Sequence, residues 1–173
     1  MQPTIDHIHI TVSDLERAER FYDRFLPLLG FDLKHKEATQ VPEHEYRIIE
    51  YHHRNFSFGI VNPRPVFRDE IVNRRKPGAI HHIAFTVSTR AEVDRLYERV
   101  REIGAVIVHP PQMYPEYCED YYAFFFKDPE GIELEIVYLD RSRYFPGGDD
   151  RANPGLRISG QYRLPSFRRS TSS

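Results

Sequence analysis

The feature that most constrains the fold of this chain is an internal repeat. Residues 7–12, HIHITV, return at 82–87 as HIAFTV, and the segments that follow each copy also correspond. Both copies open with a histidine and then alternate polar and apolar residues, which is the pattern of a half-buried β-strand. The repeat predicts two units of the same fold with His7 and His82 in equivalent places. A two-fold arrangement of the units would bring these two histidines face to face.

The composition limits what such a fold can do. The chain has 173 residues and a formal net charge of −2, which suits one domain or two small halves that share a core. The small net charge predicts no nucleic-acid partner and no anionic membrane surface. No apolar run approaches the ~18 residues that a membrane helix needs. A single cysteine, Cys118, excludes an intramolecular disulfide framework. We therefore predict a soluble cytoplasmic protein.

Hydrophobic periodicity predicts the order strand, helix and then three strands in each copy. The two helices follow the first strand of each copy and end near residues 29 and 103. A capping box is predicted at Ser13 with Glu16, and a second one at Thr89 with Glu92. The predicted strands are 5–12, 31–36, 45–52, 55–61, 80–87, 105–109, 119–127 and 131–138.

Proline, glycine and charge indicate how the chain is divided. We predict a first βαβββ unit over 1–62, a connector over 63–78 whose prolines block regular structure, and a second βαβββ unit over 79–139. Residues 140–173 are rich in arginine, proline and serine and have no sustained period, which predicts an irregular tail. The predicted fold class is therefore α+β.

The polar faces of three predicted strands carry residues that can bind a metal. His7 and His9 share a face of the first strand, and His82 opens its repeat. Glu133 and Glu135 share a face of the last strand. Each apolar face has a natural partner in an amphipathic helix, so the polar faces point away from the helices. Two neutral imidazoles and one carboxylate are the ligands that Fe(II), Mn(II), Zn(II) or Ni(II) takes in sites left open for substrate.

The order and spacing of these residues resemble those of the vicinal oxygen chelate superfamily, which contains glyoxalases, bleomycin-resistance proteins and ring-cleaving dioxygenases. The likeness rests on the paired βαβββ units, the histidines at 7 and 82, and the Asp-Pro-Glu-Gly turn at 128–131 that precedes Glu135. It covers about residues 4–139. The resemblance implies that the two units form an open, mostly antiparallel, barrel-like cup that holds one divalent metal ion (Fe, Mn, Zn or Ni).

The resemblance also implies particular ligands. Carried over by position, they are His7, His82 and Glu135. A homodimer is implied too, because related proteins usually pair their units, sometimes between chains, and the cup could form within one chain or across two. Glyoxalase-type members take a fourth ligand from the last strand of the first unit. We expect that strand to present to the cup side chains that cannot bind a metal, namely Phe56, Phe58 and Ile60.

Two further residues are candidate catalytic groups. His9 lies one pleat beyond His7, over the expected metal, where it could act as a general acid or base. Tyr121 and Tyr122 alternate faces, so that one of them reaches the cup. We take Tyr122 as the candidate hydrogen-bond donor to substrate.

The residues leave more than one function open. The leading hypothesis is a metal-dependent enzyme that acts on a small substrate through two neighbouring oxygens, by isomerase or lyase chemistry through an enolate or by Fe(II)-dependent oxygenation. Ring-cleaving members of the family usually carry a tyrosine where this chain has Phe125, which counts against extradiol cleavage. The alternative is a metal-free protein that binds a drug or metabolite, but the retained ligands favour an enzyme. A regulatory or scaffold role would predict that the ligands are lost.

Overall fold

The computed structural model of this protein describes residues 4–71 and 73–141. Each half is a four-stranded mixed sheet with one long helix. The strands of the first half are β1 (His7–Thr11), β2 (Lys36–Val41), β3 (Tyr46–His52) and β4 (Ser57–Val61), and its helix is α1 (Leu15–Phe25). The second half contains β5 (Ile83–Val87), α2 (Arg90–Glu102), β6 (Val106–Met113), β7 (Tyr122–Lys127) and β8 (Glu133–Tyr138). Short 3-10 helices cover Leu26–Leu29, Leu33–His35, Pro42–His44 and Pro65–Phe67.

The two sheets have the same topology. Their strand orders are β1-β4-β3-β2 and β5-β8-β7-β6. The first strand of each unit runs parallel to the last, and the other neighbours are antiparallel. The predicted α+β fold of two βαβββ units, open rather than closed, is therefore confirmed. The tail predicted at 140–173 lies outside the described residues apart from Asp140 and Arg141.

The two units share one hydrophobic core. Helix α1 buries Phe25 completely, and its ring lies 5.7 Å from the ring of Phe85 on β5 and 5.2 Å from that of Phe126 on β7. Helix α2 contributes Leu96 and Val100 to the same cluster. Fully burying one such side chain stabilises the fold by roughly 1.5–3 kcal/mol. The rings of Phe25, Phe85 and Phe126 therefore pack across the boundary between the units.

A polar contact also joins the units, and we name it the inter-unit clasp. It consists of Ser13, Arg17 and Tyr22 from the first unit and of Asp128 and Glu130 from the second. Glu130 accepts hydrogen bonds from the backbone N–H and the hydroxyl of Ser13, both at 2.6 Å. The Arg17 guanidinium lies 2.6 Å from the other Glu130 oxygen. Tyr22 donates to the buried Asp128 carboxylate at 2.7 Å.

The clasp explains why α1 begins differently from prediction. Its N-cap is Asp14, whose carboxylate accepts the backbone N–H of Arg17 at 2.8 Å, so the capping box predicted at Ser13 is wrong. The Ser13 hydroxyl is engaged by the second unit instead. The capping box of Thr89 with Glu92 at the start of α2 is confirmed.

Candidate functional site

The second sheet brings together two of the predicted metal ligands. His82 immediately precedes β5 and Glu135 lies in β8, which pairs in parallel with β5 so that Ala84 neighbours Glu135. The Nε2 atom of His82 lies 3.5 Å from Oε2 of Glu135. The Glu135 side chain is only 1% exposed, whereas that of His82 is 38% exposed. A buried carboxylate thus sits next to an imidazole that solvent can reach.

The surroundings tune the charge of this pair. Burial lowers the pKa of His82 below 6.5, and the neighbouring His81 lowers it further. His82 is therefore neutral at pH 7, which is the form that binds metals. Burial raises the pKa of Glu135 above its ordinary 4.5, while a hydrogen bond from Tyr121 opposes the rise.

Tyr121, and not Tyr122, reaches the polar face of the second sheet. Its hydroxyl donates to Oε1 of Glu135 at 2.5 Å. Burial, reinforced by Glu135, raises the pKa of Tyr121, so that the hydroxyl keeps its proton. Tyr122 starts β7 on the opposite, helix-facing side, where its hydroxyl donates to Asp94 of α2 at 2.7 Å. The expectation that Tyr122 faces the cup is therefore wrong, because the side-chain alternation places its neighbour there.

A second carboxylate on β8 is held by the connector. Glu133 is buried and forms an ion pair with Arg74. Arg74 belongs to the segment between the units, so this segment reaches the rim of the second sheet. One guanidinium therefore offsets one of the two buried carboxylates of β8.

Aromatic side chains cover the polar face of the second sheet beside Glu135. Phe125 pairs with Glu135 across β7 and β8. The ring of Tyr114 lies 5.4 Å from that of Phe125 and 5.7 Å from that of Tyr117. This cluster is separate from the main core. The Tyr114 hydroxyl is the only buried side-chain polar atom of the described residues that lacks a hydrogen-bond partner. Burial raises the pKa of Tyr114, and the nearby Gln112 side chain lowers it by a smaller amount.

The first sheet carries the other predicted ligand, His7, together with the candidate base His9. Their rings are 4.7 Å apart, and His7 Nδ1 lies 2.9 Å from the Asp6 carboxylate. The Nε2 atom of His9 lies 3.1 Å from Oε1 of Glu50 on β3. A Cβ atom on Gly59 would approach the His9 ring to 2.5 Å. Glycine at this position leaves the space that the ring occupies.

Strand β4 presents a different face to these histidines than the sequence predicted. In the parallel pairing, His7 neighbours Ser57 and His9 neighbours Gly59. Phe58 and Ile60 point to the opposite side and are completely buried in the main core, and Phe56, which precedes β4, packs against that core. Their expected place on the cup face is therefore wrong. The conclusion that β4 offers no carboxylate there holds, because its outward residues are Ser57, Gly59 and Val61.

The ligands do not all meet within one chain. Across 4–71 and 73–141, no three histidine, cysteine, aspartate or glutamate side chains lie close enough to hold a metal ion. His82 and Glu135 fit a divalent cation in kind and geometry, but His7 lies on the other sheet. We call His82 with Glu135 the second-sheet half-site, and His7 with His9 and Glu50 the first-sheet half-site. The second-sheet half-site has only two protein ligands, and the three side chains of the first-sheet half-site do not lie close enough together to hold a metal ion.

A cavity of about 640 Å³ lies between the units, away from both half-sites. Its walls include Ile8, Phe56 and Phe85, which belong to the apolar side of the sheets, together with His53 and Arg95. None of the predicted metal ligands lines it. The chemistry-bearing residues lie instead on the outward faces of the two sheets.

Comparison with known proteins identifies the family. The model of the Glyoxalase/Bleomycin resistance protein/Dioxygenase superfamily matches residues 4–136, and the chain belongs to this superfamily. The uncharacterised protein YqjT of Bacillus subtilis is 28% identical over 131 residues, which are 76% of this chain and 95% of that protein.

Solved structures agree with this assignment. A Bacillus halodurans protein, provisionally named a glyoxalase, is 28% identical with a TM-score of 0.61, covering 80% of this chain and 97% of that one. A glyoxalase-related enzyme from Fulvimarina pelagi is 25% identical with a TM-score of 0.55, covering 86% and 94%. In the described part of this chain, no helix is long and apolar enough to cross a membrane.

Proposed function

We propose that this protein is a divalent-metal-dependent enzyme that binds a small substrate through two neighbouring oxygen atoms. The observation that carries the proposal is the second-sheet half-site. A neutral, accessible imidazole and a buried carboxylate converge with 3.5 Å between His82 Nε2 and Glu135 Oε2. This donor pair suits Fe(II), Mn(II), Zn(II) or Ni(II). The aromatic cluster around Phe125 and Tyr114 supplies an apolar wall for a substrate.

The third ligand in this proposal is His7 of a second copy of the chain, so that the active protein is a homodimer. The exposed His7 is separated from His82 and Glu135 within one chain, and the two sheets have the same topology. In a two-fold dimer, the first sheet of each copy can face the second sheet of the other copy, so that the dimer contains two equivalent sites. Three protein ligands would leave positions free for substrate oxygens.

The chemistry that we favour is an isomerase or lyase reaction. When bound, a divalent metal polarises a substrate carbonyl and stabilises an enolate. His9 is the proposed proton-transfer group, because it stands beside His7 and is oriented by Glu50 at 3.1 Å. A positioned acid or base contributes typically 10²–10⁴-fold to a rate. Fe(II)-dependent oxygenation is the second possibility and requires iron as the bound metal. We place the protein in the cytoplasm, as its single cysteine suggests.

Metal analysis of the purified protein tests the proposed site. We expect about one ion per chain in the wild type, and a strong loss in each of His7→Ala, His82→Ala and Glu135→Ala. His53→Ala is the matched control, because His53 lies in a turn outside both half-sites and should keep the metal. Full metal content in all three ligand variants would refute the assignment. A wild type that binds no metal but binds an apolar ligand would favour the metal-free binding protein instead.

Mixing two variants tests whether the site is shared between copies. A dimer of one His7→Ala chain and one His82→Ala chain would contain one intact and one doubly broken site. Random exchange should therefore restore about a quarter of the wild-type metal content. A mixture of His82→Ala with Glu135→Ala should restore none, because both residues come from the same chain. Equal recovery of metal content in the two mixtures, or no recovery in either of them, would refute a site shared between chains.

A further inference from the structure

Glu135 divides its two carboxylate oxygens between different partners. Oε1 accepts the Tyr121 hydroxyl proton at 2.5 Å, whereas Oε2 faces His82 at 3.5 Å. The short distance is typical of a strong O–H···O⁻ hydrogen bond. One oxygen is therefore occupied by the protein, and the other is the atom that points towards the second ligand.

Tyr121 is itself fixed by a tight loop. Its backbone carbonyl accepts the N–H of Tyr114 at 2.9 Å, and its own N–H donates to the carbonyl of Cys118 at 3.2 Å. Its ring lies 5.2 Å from that of Tyr117 and 6.3 Å from that of Tyr114. The phenol therefore has a defined position before any ligand binds. Such a group limits the orientations that its partner carboxylate can adopt.

We propose that Tyr121 is a positioning residue for the metal centre, because it holds Oε1 of Glu135 and so keeps Oε2 directed at the metal beside His82. This role rests on the proposed function. Hydrogen-bond partners of metal ligands typically change metal affinity by about 10- to 100-fold when they are removed. A purely structural tyrosine would stabilise the fold without changing metal affinity.

The test compares the Co²⁺ affinity of Y121F with that of the wild type and of Y117F. Phenylalanine at 121 keeps the ring and removes the hydroxyl that contacts Glu135. Tyr117 stacks in the same cluster, but its side chain is 56% exposed and does not reach Glu135. We expect Y121F to bind Co²⁺ about 10- to 100-fold more weakly, with an altered visible spectrum, and Y117F to match the wild type.

The outcomes separate this inference from the proposed function. A wild type that binds no Co²⁺ would overturn both. Wild-type affinity in Y121F would overturn the positioning role alone, even if thermal unfolding revealed lower stability. If Y121F does not fold, the infrared carboxylate bands of the wild type provide a second measurement. Zn²⁺ should then produce a single-oxygen carboxylate signature that is lost in Glu135→Gln, and a two-oxygen signature would contradict the role of Tyr121.

Discussion

Replacing Tyr22 with phenylalanine tests the inter-unit clasp. The Tyr22 side chain is completely buried, and its hydroxyl donates to Oδ2 of Asp128 at 2.7 Å. Oδ1 of the same carboxylate already accepts the backbone N–H groups of Glu130 and Ile132, at 2.9 and 2.8 Å. Phenylalanine preserves the ring packing and removes only the hydroxyl. Oδ2 would then be left buried without its donor.

The expected loss is large for the removal of one oxygen atom. A hydrogen bond to a charged group contributes roughly 1.5–3 kcal/mol, and an unpaired buried acceptor costs a similar amount. We therefore expect Y22F to lower the free energy of unfolding by about 2–3 kcal/mol at neutral pH.

The loss should also depend on pH. Burial raises the pKa of Asp128 above its ordinary 3.8, and the Tyr22 hydrogen bond opposes that rise. Removing the hydroxyl raises the pKa further. Because the hydroxyl favours the ionised carboxylate, its contribution is present at neutral pH and is lost as the pH falls through the pKa of Asp128. The difference between wild type and Y22F should therefore shrink on acidification, within a window that lies above pH 3.8.

Urea unfolding at neutral and at mildly acidic pH measures both effects. Y97F is the matched control, since Tyr97 occupies the equivalent place in the repeat but its hydroxyl makes no hydrogen bond with the described residues. We expect Y97F to change stability by less than about 0.5 kcal/mol. Equal losses in Y22F and Y97F, or a Y22F loss that is the same at both pH values, would refute this account of Asp128.

Three other changes have defined outcomes. Gly59→Ala should displace the His9 ring, reducing turnover while costing about 1–3 kcal/mol of stability; unchanged turnover would contradict the role of His9. Thr89→Ala removes the cap of α2 and should cost about 1 kcal/mol in thermal unfolding; no loss would refute the cap. Burial of the Glu130 carboxylate raises its pKa, but the hydrogen bonds from Ser13 and Arg17 together lower it by more, so that the pKa lies below 4.5. Glu130→Gln should therefore lose stability at neutral pH but converge with the wild type as the pH falls through that lowered pKa; a constant gap would refute this.

The sequence predicts the repeated order of strands and helix well, because both first strands and both helices have strong periodicity. It predicts the second strand badly. Residues 31–36 were expected to form it, but Leu33–His35 is a 3-10 turn and β2 is Lys36–Val41. This strand is largely exposed and lacks an apolar alternation. It is a strand because it pairs with β3, and that pairing is not encoded in its own residues.

The sequence likewise predicts some features of the candidate site and misses others. The alternation within β1 and β8 correctly puts His7 with His9 on one face and Glu133 with Glu135 on another. The choice between Tyr121 and Tyr122 depends on where β7 begins, which alternation alone does not specify. The separation of His7 from Glu135 depends on how the two sheets are mutually arranged. That arrangement is set by the shared core and the clasp, which are contacts between residues far apart in sequence.

The inter-unit clasp makes the two halves complementary rather than interchangeable. Residues of the second unit that correspond to Ser13, Arg17 and Tyr22 are Ser88, Glu92 and Tyr97. Two copies of the second unit would therefore set Glu92 against Glu130, carboxylate against carboxylate. Two copies of the first would bring no such acids, because its matching turn at 53–56 has the sequence His-Arg-Asn-Phe. The two units therefore present different, complementary surfaces where they meet, although their folds repeat.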